Sequence, residues 1–198
     1  MTRIFIEAKH KNTTESVFIT TLLKYLGIEA SSFEICWVDG KDNLIKNEVK
    51  FRENTLMGGR NIIIFDADTP STGCGYTATR ESILSTFPND VIIDDLYLFP
   101  HNHDDGIFEN LLEDLALKDV HSKFFDCFND YELCLGDKYV SPDLKGKLHT
   151  YMFAQKSLSN TQRRALGSGQ WLFDDKRFWN LDVAELQPLK DFLAANVQ

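Results

Sequence analysis

Acidic residues stand at three places in the chain where their spacing could hold a cation. Glu7 ends the short apolar run Ile4-Phe5-Ile6, Asp66-Ala67-Asp68 ends the run Ile62-Ile63-Ile64-Phe65, and Glu109 follows the loop His101 to Gly106. Carboxylates gathered at one point repel one another, and a hard divalent cation relieves that repulsion; magnesium prefers such oxygen ligands and keeps several waters. A cation held this way can polarise a phosphoryl oxygen and activate water for in-line attack. The Asp-x-Asp spacing adds its own logic, because residues two apart on an extended chain point the same way and can share one ion. Each acid also has a plainer role. Asp66 and Asp68 could cap a turn, and Glu109 in a first helical turn would be favoured by the helix dipole. Their concurrence carries the argument, since Glu7 alone says little.

The elements that must position these residues alternate. The run 4–6 reads as a strand, and Phe18, Ile19, Leu22, Leu23 and Leu26 recur at helical spacing until Gly27. Residues 33–38 read as a strand, 41–59 as irregular or a short helix, and 61–65 as the strongest strand in the chain. The continuous apolar character of that strand predicts burial on both faces, as in a parallel sheet. A helix is expected over 77–87, a strand over 95–99 stopped by Pro100, and a helix carrying Phe108, Leu111, Leu112 and Leu115. This alternation predicts an α/β fold, a Rossmann-like, mostly parallel sheet flanked by helices, with the acids at the carboxyl edge where such sheets bind ligands. Beyond residue 120 strand signals fade, and 124–135, 147–157 and 184–194 look helical. Two parts are therefore expected: an α/β domain over 1–120 and a helical C-terminal extension over 121–198, packed on it.

The 198 residues carry a formal net charge of −9, which disfavours tight stand-alone binding of a polyanion. The average hides a split. Residues 89–119 hold nine acids against Lys118, whereas 138–164 hold six bases against Asp143. An acidic patch beside a basic arm suits a site that holds cations and meets phosphates; two solvated faces are the plainer account. No apolar run approaches the length of a membrane span. No secretory leader is expected, and the four cysteines, which form no Cys-x-x-Cys, read as reduced thiols in a cytoplasm.

Other candidates are weaker. His101-Asn102-His103-Asp104-Asp105 partly resembles the HxHxDH motif of metallo-β-lactamase-fold zinc hydrolases, but Gly106 stands where its last histidine belongs. A polar loop with Asp104 or Asp105 capping the next helix is the simpler account, and contact of His101 or His103 with substrate is a third. Gly73-Cys74-Gly75 could contact phosphate but matches no nucleotide-binding fingerprint. Trp171, Phe173, Phe178 and Trp179 read as core or interface rather than a base-stacking platform.

The order strand-Glu7-helix, strand-Asp66-Ala67-Asp68, strand-helix resembles the Toprim domain of topoisomerases, primases and overcoming-lysogenization-defect nucleases. Asp95-Leu96-Tyr97-Leu98-Phe99-Pro100, with Gly106 and Glu109-Asn110-Leu111-Leu112, looks like a bacterial Toprim-related family of unknown function. The tail, Phe178-Trp179-Asn180-Leu181-Asp182 and the segment from Leu186 to Leu193, fits the same family, so the resemblance spans nearly the whole chain. It implies phosphodiester chemistry dependent on Mg²⁺ or Mn²⁺, with Glu7 as the family glutamate and Asp66 and Asp68 as its DxD pair. The nucleases also use a later glutamate and a lysine, matched here by Glu109 and Lys147, the lysine steadying charge in the transition state. Two departures matter. Ala8 follows Glu7 where glycine is usual, and Lys11 stands where those nucleases commonly carry an aspartate. A metal position is then lost or its ligand replaced. The expectation is a cytoplasmic, metal-dependent nuclease that meets nucleic acid. The alternative is a non-catalytic Toprim-like subunit acting through a protein partner, such as an ATPase of a phage-defence system.

Overall fold

The computed structural model describes residues 1–72 and 74–197. Among these, four strands form one sheet: β1 (Thr2–Ile6), β2 (Phe33–Trp37), β3 (Arg60–Asp66) and β4 (Asp95–Phe99). All pairings are parallel and the order is β2-β1-β3-β4, so β1 and β3, which end at the candidate acids, are the two central strands. The α/β class and parallel sheet expected from the alternating pattern are what the structure shows.

The apolar run of β3 serves both faces. Ile62 and Ile64 join Ile4, Ile6, Tyr97 and Phe99 in one core, while Ile63 and Phe65 join Phe5, Leu96 and Leu98 in another. Successive side chains of a strand point to opposite faces, so a strand with helices on both sides has no place for polar alternation. The second, smaller core is closed by α2 (Glu48–Leu56) through Phe51 and by α3 (Tyr76–Leu84) through Ile83. The first is closed by α1 (Thr14–Tyr25) and α4 (Phe108–Leu115). Over it lies the C-terminal part: α5 (Ser122–Leu135), α6 (Leu144–Phe153), α7 (Asn160–Leu166) and α8 (Gln187–Asn196).

The C-terminal part is built into the sheet layer. Trp171, Phe173, Phe178 and Trp179 are buried in the first core, and Trp179 donates its indole N–H to the carbonyl of Trp171 at 2.9 Å. At the far end of the sheet Asn196 accepts from the Thr2 hydroxyl through its backbone carbonyl at 2.7 Å and donates to Asp95 at 2.9 Å. Helix α8 thus ties down the amino edge of the strands.

Local chemistry explains where elements differ from expectation. Helix α6 starts at Leu144 rather than 147, because Asp143 accepts the Gly146 N–H at 2.7 Å and caps it. Helix α7 was not expected, although Ser159-Asn160-Thr161-Gln162 carries a capping box: the Ser159 hydroxyl accepts from the Gln162 N–H, and the Gln162 side chain accepts from the Ser159 N–H. The polar stretch 41–59 holds a 3₁₀ turn over Lys41–Asn47 and then α2. Thr13 precedes α1 but does not cap it through its side chain; its hydroxyl donates to the carbonyl of His10.

Past α7 the chain touches the loop that leads from β1 to α1. Gly169 has φ +86°, and a Cβ there would lie 2.4 Å from the Asn12 carbonyl oxygen and 3.1 Å from the Thr14 nitrogen. Gly169→Ala is expected to destabilise the protein by about 1–3 kcal/mol, the scale of a strained left-handed residue, with the backbone clash pushing towards the upper end. Gly27 has φ +72° with nothing near its Cβ position, so Gly27→Ala should cost less. Urea denaturation of the two variants checks the ranking.

Candidate functional site

The carboxyl edge brings the separated acids together. Asp66 is the last residue of β3, and its Oδ1 accepts the backbone N–H of Phe108, the first residue of α4, at 2.8 Å. The carboxylate therefore sits on the positive end of that helix. Glu109 is the next residue of α4 and is only 5% exposed. Glu7 follows β1, the neighbour of β3. A small cavity of about 10 Å³ lies between Glu7, Asp66 and Glu15 of α1, about the space of one water. Glu7 and Glu15 also face an open cleft of about 590 Å³, walled by His10, Lys145 and Gly169 among others.

The strict alternation of an extended strand does not run through Asp68. The chain leaves the extended conformation at Asp68, whose φ is +60°, and the Asp68 carbonyl accepts the Gly106 N–H at 2.7 Å. Its side chain goes to Lys41, 2.9 Å from the ammonium nitrogen. Asp104 and Asp105 do not cap α4 either. Asn110 does so, accepting the Ile107 N–H at 2.9 Å. Asp105 instead accepts from Tyr76 N–H, at the start of α3, at 2.6 Å.

Glu7 and Asp66 feel the charge of neighbouring acids. Burial raises the Glu7 carboxyl above its ordinary range and the charge of Asp68 raises it further, while backbone amides of Asp66 and Lys41 partly offset this. Asp66 is pushed well up by burial and then by Glu7, with smaller contributions from Glu109 and Asp68; the Phe108 N–H opposes them.

Two ammonium groups reach into this cluster. Lys41 bridges Asp68 and the Cys74 sulfur, 3.0 Å away, and these contacts raise its pKa. Lys145, on the first turn of α6, lies 3.0 Å from Glu109 and 3.8 Å from Glu15. Burial alone would lower the Lys145 pKa, but the carboxylates of Glu109, Glu15 and Asp66 overcome it and raise it. Lys147 takes another place. Its ammonium lies 2.9 Å from Glu113 and stacks on the rings of Phe125 and Phe128. Glu113 is one helical turn beyond Glu109, about 6 Å along the axis. The lysine that meets Glu109 is thus Lys145, two residues before the one matched by resemblance. The basic arm is also partly consumed inside the fold: Arg163 donates to the carbonyls of Phe153 and Gln155 at 2.6 and 2.5 Å. Lys138, Lys156 and Arg164 stay exposed.

The remaining candidates are placed as follows. His101 lies between Asp104 and Asp114, at 2.9 and 3.0 Å, and His103 contacts Asp104 and the His101 carbonyl; neither contacts Glu7, Asp66, Asp68 or Glu109. Gly73 lies outside the described residues, and Cys74 meets the site through Lys41. Ala8 is buried in the first core, and Lys11 is exposed. Lys41 and Glu15 had not been singled out in the sequence; the turn signal Asp39-Gly40 just before Lys41 was the available clue.

The donor chemistry suits a hard divalent ion: oxygen ligands only, partly buried, and short of positive charge. As the side chains stand, among the described residues no three His, Cys, Asp or Glu groups are arranged to hold a metal ion. Asp68 and Glu109 are each turned towards a lysine.

A family model described as a protein of unknown function (DUF3226) matches residues 4–198. The chain belongs to that family. No curated protein and no solved structure matches it.

The raised Asp66 carboxyl makes a signed prediction. A carboxyl whose folded-state pKa lies above its unfolded one favours folding at low pH, and that contribution is lost as pH rises through the folded-state pKa. Asp66→Asn keeps the oxygen that accepts from Phe108 and removes the charge. Its thermal midpoint should exceed the wild-type value by several degrees at pH 7.5, and the gap should narrow towards pH 5. Melting curves across that range check it.

Proposed function

We propose that this chain is a Toprim-like protein that hydrolyses phosphodiester bonds of nucleic acid with Mg²⁺ or Mn²⁺ held by Glu7, Asp66 and Asp68. One observation supports this above the others: acids far apart in sequence meet at the carboxyl edge of the two central parallel strands, where burial and mutual repulsion raise Glu7 and Asp66. Carboxyls shifted by burial and by like-charged neighbours cluster at functional sites. When bound, the ion would supply charge neutralisation and polarisation of a phosphoryl oxygen.

The protein's own groups have distinct parts in this reading. The Phe108 N–H and the start of α4 hold the Asp66 carboxylate in place. Glu109 adds a carboxylate at the same rim, and Lys145, 3.0 Å from it, supplies an ammonium group there. The open cleft beside Glu7 gives a strand of nucleic acid its approach, with Lys9 on its wall. Lys156 and Arg164 are exposed cations for backbone contact, modest in number against the net charge of −9. Binding of nucleic acid by this chain alone would therefore be weak and salt-sensitive. The proposed setting is the cytoplasm, supported by cysteines that stand as free thiols. No described helix is long and apolar enough to cross a membrane.

A second reading, a non-catalytic subunit that works beside a protein partner, draws on a specific feature. The end of α5 and the residues after it expose Tyr131, Leu133, Tyr139 and Val140, apolar groups a partner would cover.

With Mn²⁺ present, the wild-type protein is expected to cleave plasmid or single-stranded DNA or RNA. Asp66→Ala should lower the rate at least about 100-fold, the scale of losing one preorganised charge-stabilising contact. Gel assays of the two proteins decide it: no cleavage with either metal, or equal rates, overturns the enzyme reading. A stable partner captured from the native host together with no Mn²⁺ binding would favour the subunit.

A further inference from the structure

We infer that Lys41 and Lys145 are tethered counter-ions of the carboxylate rim, and that loading the rim with a divalent ion is an exchange in which their ammonium groups give up Asp68 and Glu109. This rests on the reading of Glu7, Asp66 and Asp68 as metal ligands and concerns how that site is filled.

The two lysines come from unrelated parts of the chain. Lys41 opens the 3₁₀ turn after β2, and Lys145 lies in the first turn of α6, yet both end on acids of the same rim. Each takes an acid that the rim would need. Lys41 lies 2.9 Å from Asp68 Oδ2, and Lys145 lies 3.0 Å from Glu109 Oε1. Glu7 and Asp66 form no ion pair with either lysine. Two of the four acids are thereby ion-paired to ammonium groups and two are not, and among the described residues no three metal donors stand together.

Each lysine also has a second place to rest. Lys41 keeps the Cys74 sulfur at 3.0 Å, and Lys145 keeps Glu15 at 3.8 Å. Both side chains are partly solvent-exposed, 31% for Lys41 and 55% for Lys145, so their ammonium groups can withdraw to water without being stranded. A dication concentrates twice the charge of an ammonium group and can draw on several carboxylates at once. An ammonium group on a flexible stem meets one or two. The exchange therefore favours the ion once its concentration is sufficient, and the lysines set how much is needed.

The experiment is calorimetric titration of Mn²⁺ into the full chain, with thermal melts in EDTA and in Mn²⁺. Lys41→Gln and Lys145→Gln should each tighten Mn²⁺ binding at least about tenfold, because the competing cation is gone. Tighter binding to the folded state raises the melting point in proportion to the logarithm of occupancy, so the Mn²⁺-induced rise should be larger in both variants. Lys145→Gln should also melt lower than wild type in EDTA, where Glu109 has lost its cation. Lys41→Arg and Lys145→Arg keep the charge and should bind Mn²⁺ as the wild type does, which separates competition from misfolding. Binding by the variants where the wild type shows none supports the exchange. Equal or weaker binding by the glutamine variants, with the wild type binding well, overturns the exchange and leaves the metal site standing. No binding by any folded variant overturns both.

Discussion

Negative charges that share a poorly hydrated space must be compensated, and the carboxyl edge of this sheet is organised around that requirement. Glu7 and Asp66 end the two central strands, so neither can turn fully to water as an edge-strand acid could. The fold answers with fixed dipoles and tethered cations. The start of α4 is placed under Asp66, backbone amides of Asp66 and Lys41 face Glu7, and lysines meet Asp68 and Glu109. Compensation is incomplete, as the raised carboxyls of Glu7 and Asp66 record. Uncompensated acids in such a place cost the folded state stability.

The same requirement explains why the C-terminal helices belong to the sheet domain in physical terms. They bury the first face with aromatic side chains and deliver Lys145 to Glu109 and Glu15. Gly169, pressed against the loop from β1 to α1, joins that region to the wall of the cleft beside Glu7. The rim is therefore assembled from residues spread from position 7 to position 145, with its wall reaching 169, and no shorter segment contains it.

Much of this was legible from sequence for a definite reason. A strand buried on both faces is an unbroken apolar run, so β3 and its terminal acids stood out, and the parallel alternation followed from the helices between strands. That Glu7 and Asp66 lie on neighbouring strands depends on the strand order, which the sequence pattern does not spell out. Other parts depend on tertiary contacts that periodicity does not encode. Asp68 pairs with Lys41 where the chain adopts a left-handed conformation, beside its bridge to Gly106, 38 residues on. Helix α2 has no clear apolar stripe, since Phe51 alone carries most of its docking, and α7 is short enough that its capping box is its main signal. The partners of lysines are the least legible, because long flexible side chains choose among acids brought close by folding.

Lys145 and Lys147 show how narrow that choice is. Helix α4 presents Glu109 and Glu113 one turn apart on one face, and α6 answers with a lysine to each. The pairs are alike in chemistry and differ in surroundings. Lys147 is covered by the rings of Phe125 and Phe128 and is 17% exposed, so its charge and stem are spent on holding α4, α5 and α6 together. Lys145 is 55% exposed, and its neighbours are the acids of the rim. Cation–π contacts and apolar packing of the stem make the first pair costly to open. An ammonium group already half in water loses little by moving. One turn of helix thus separates a lysine fixed into the architecture from one half exposed beside the acids of the rim.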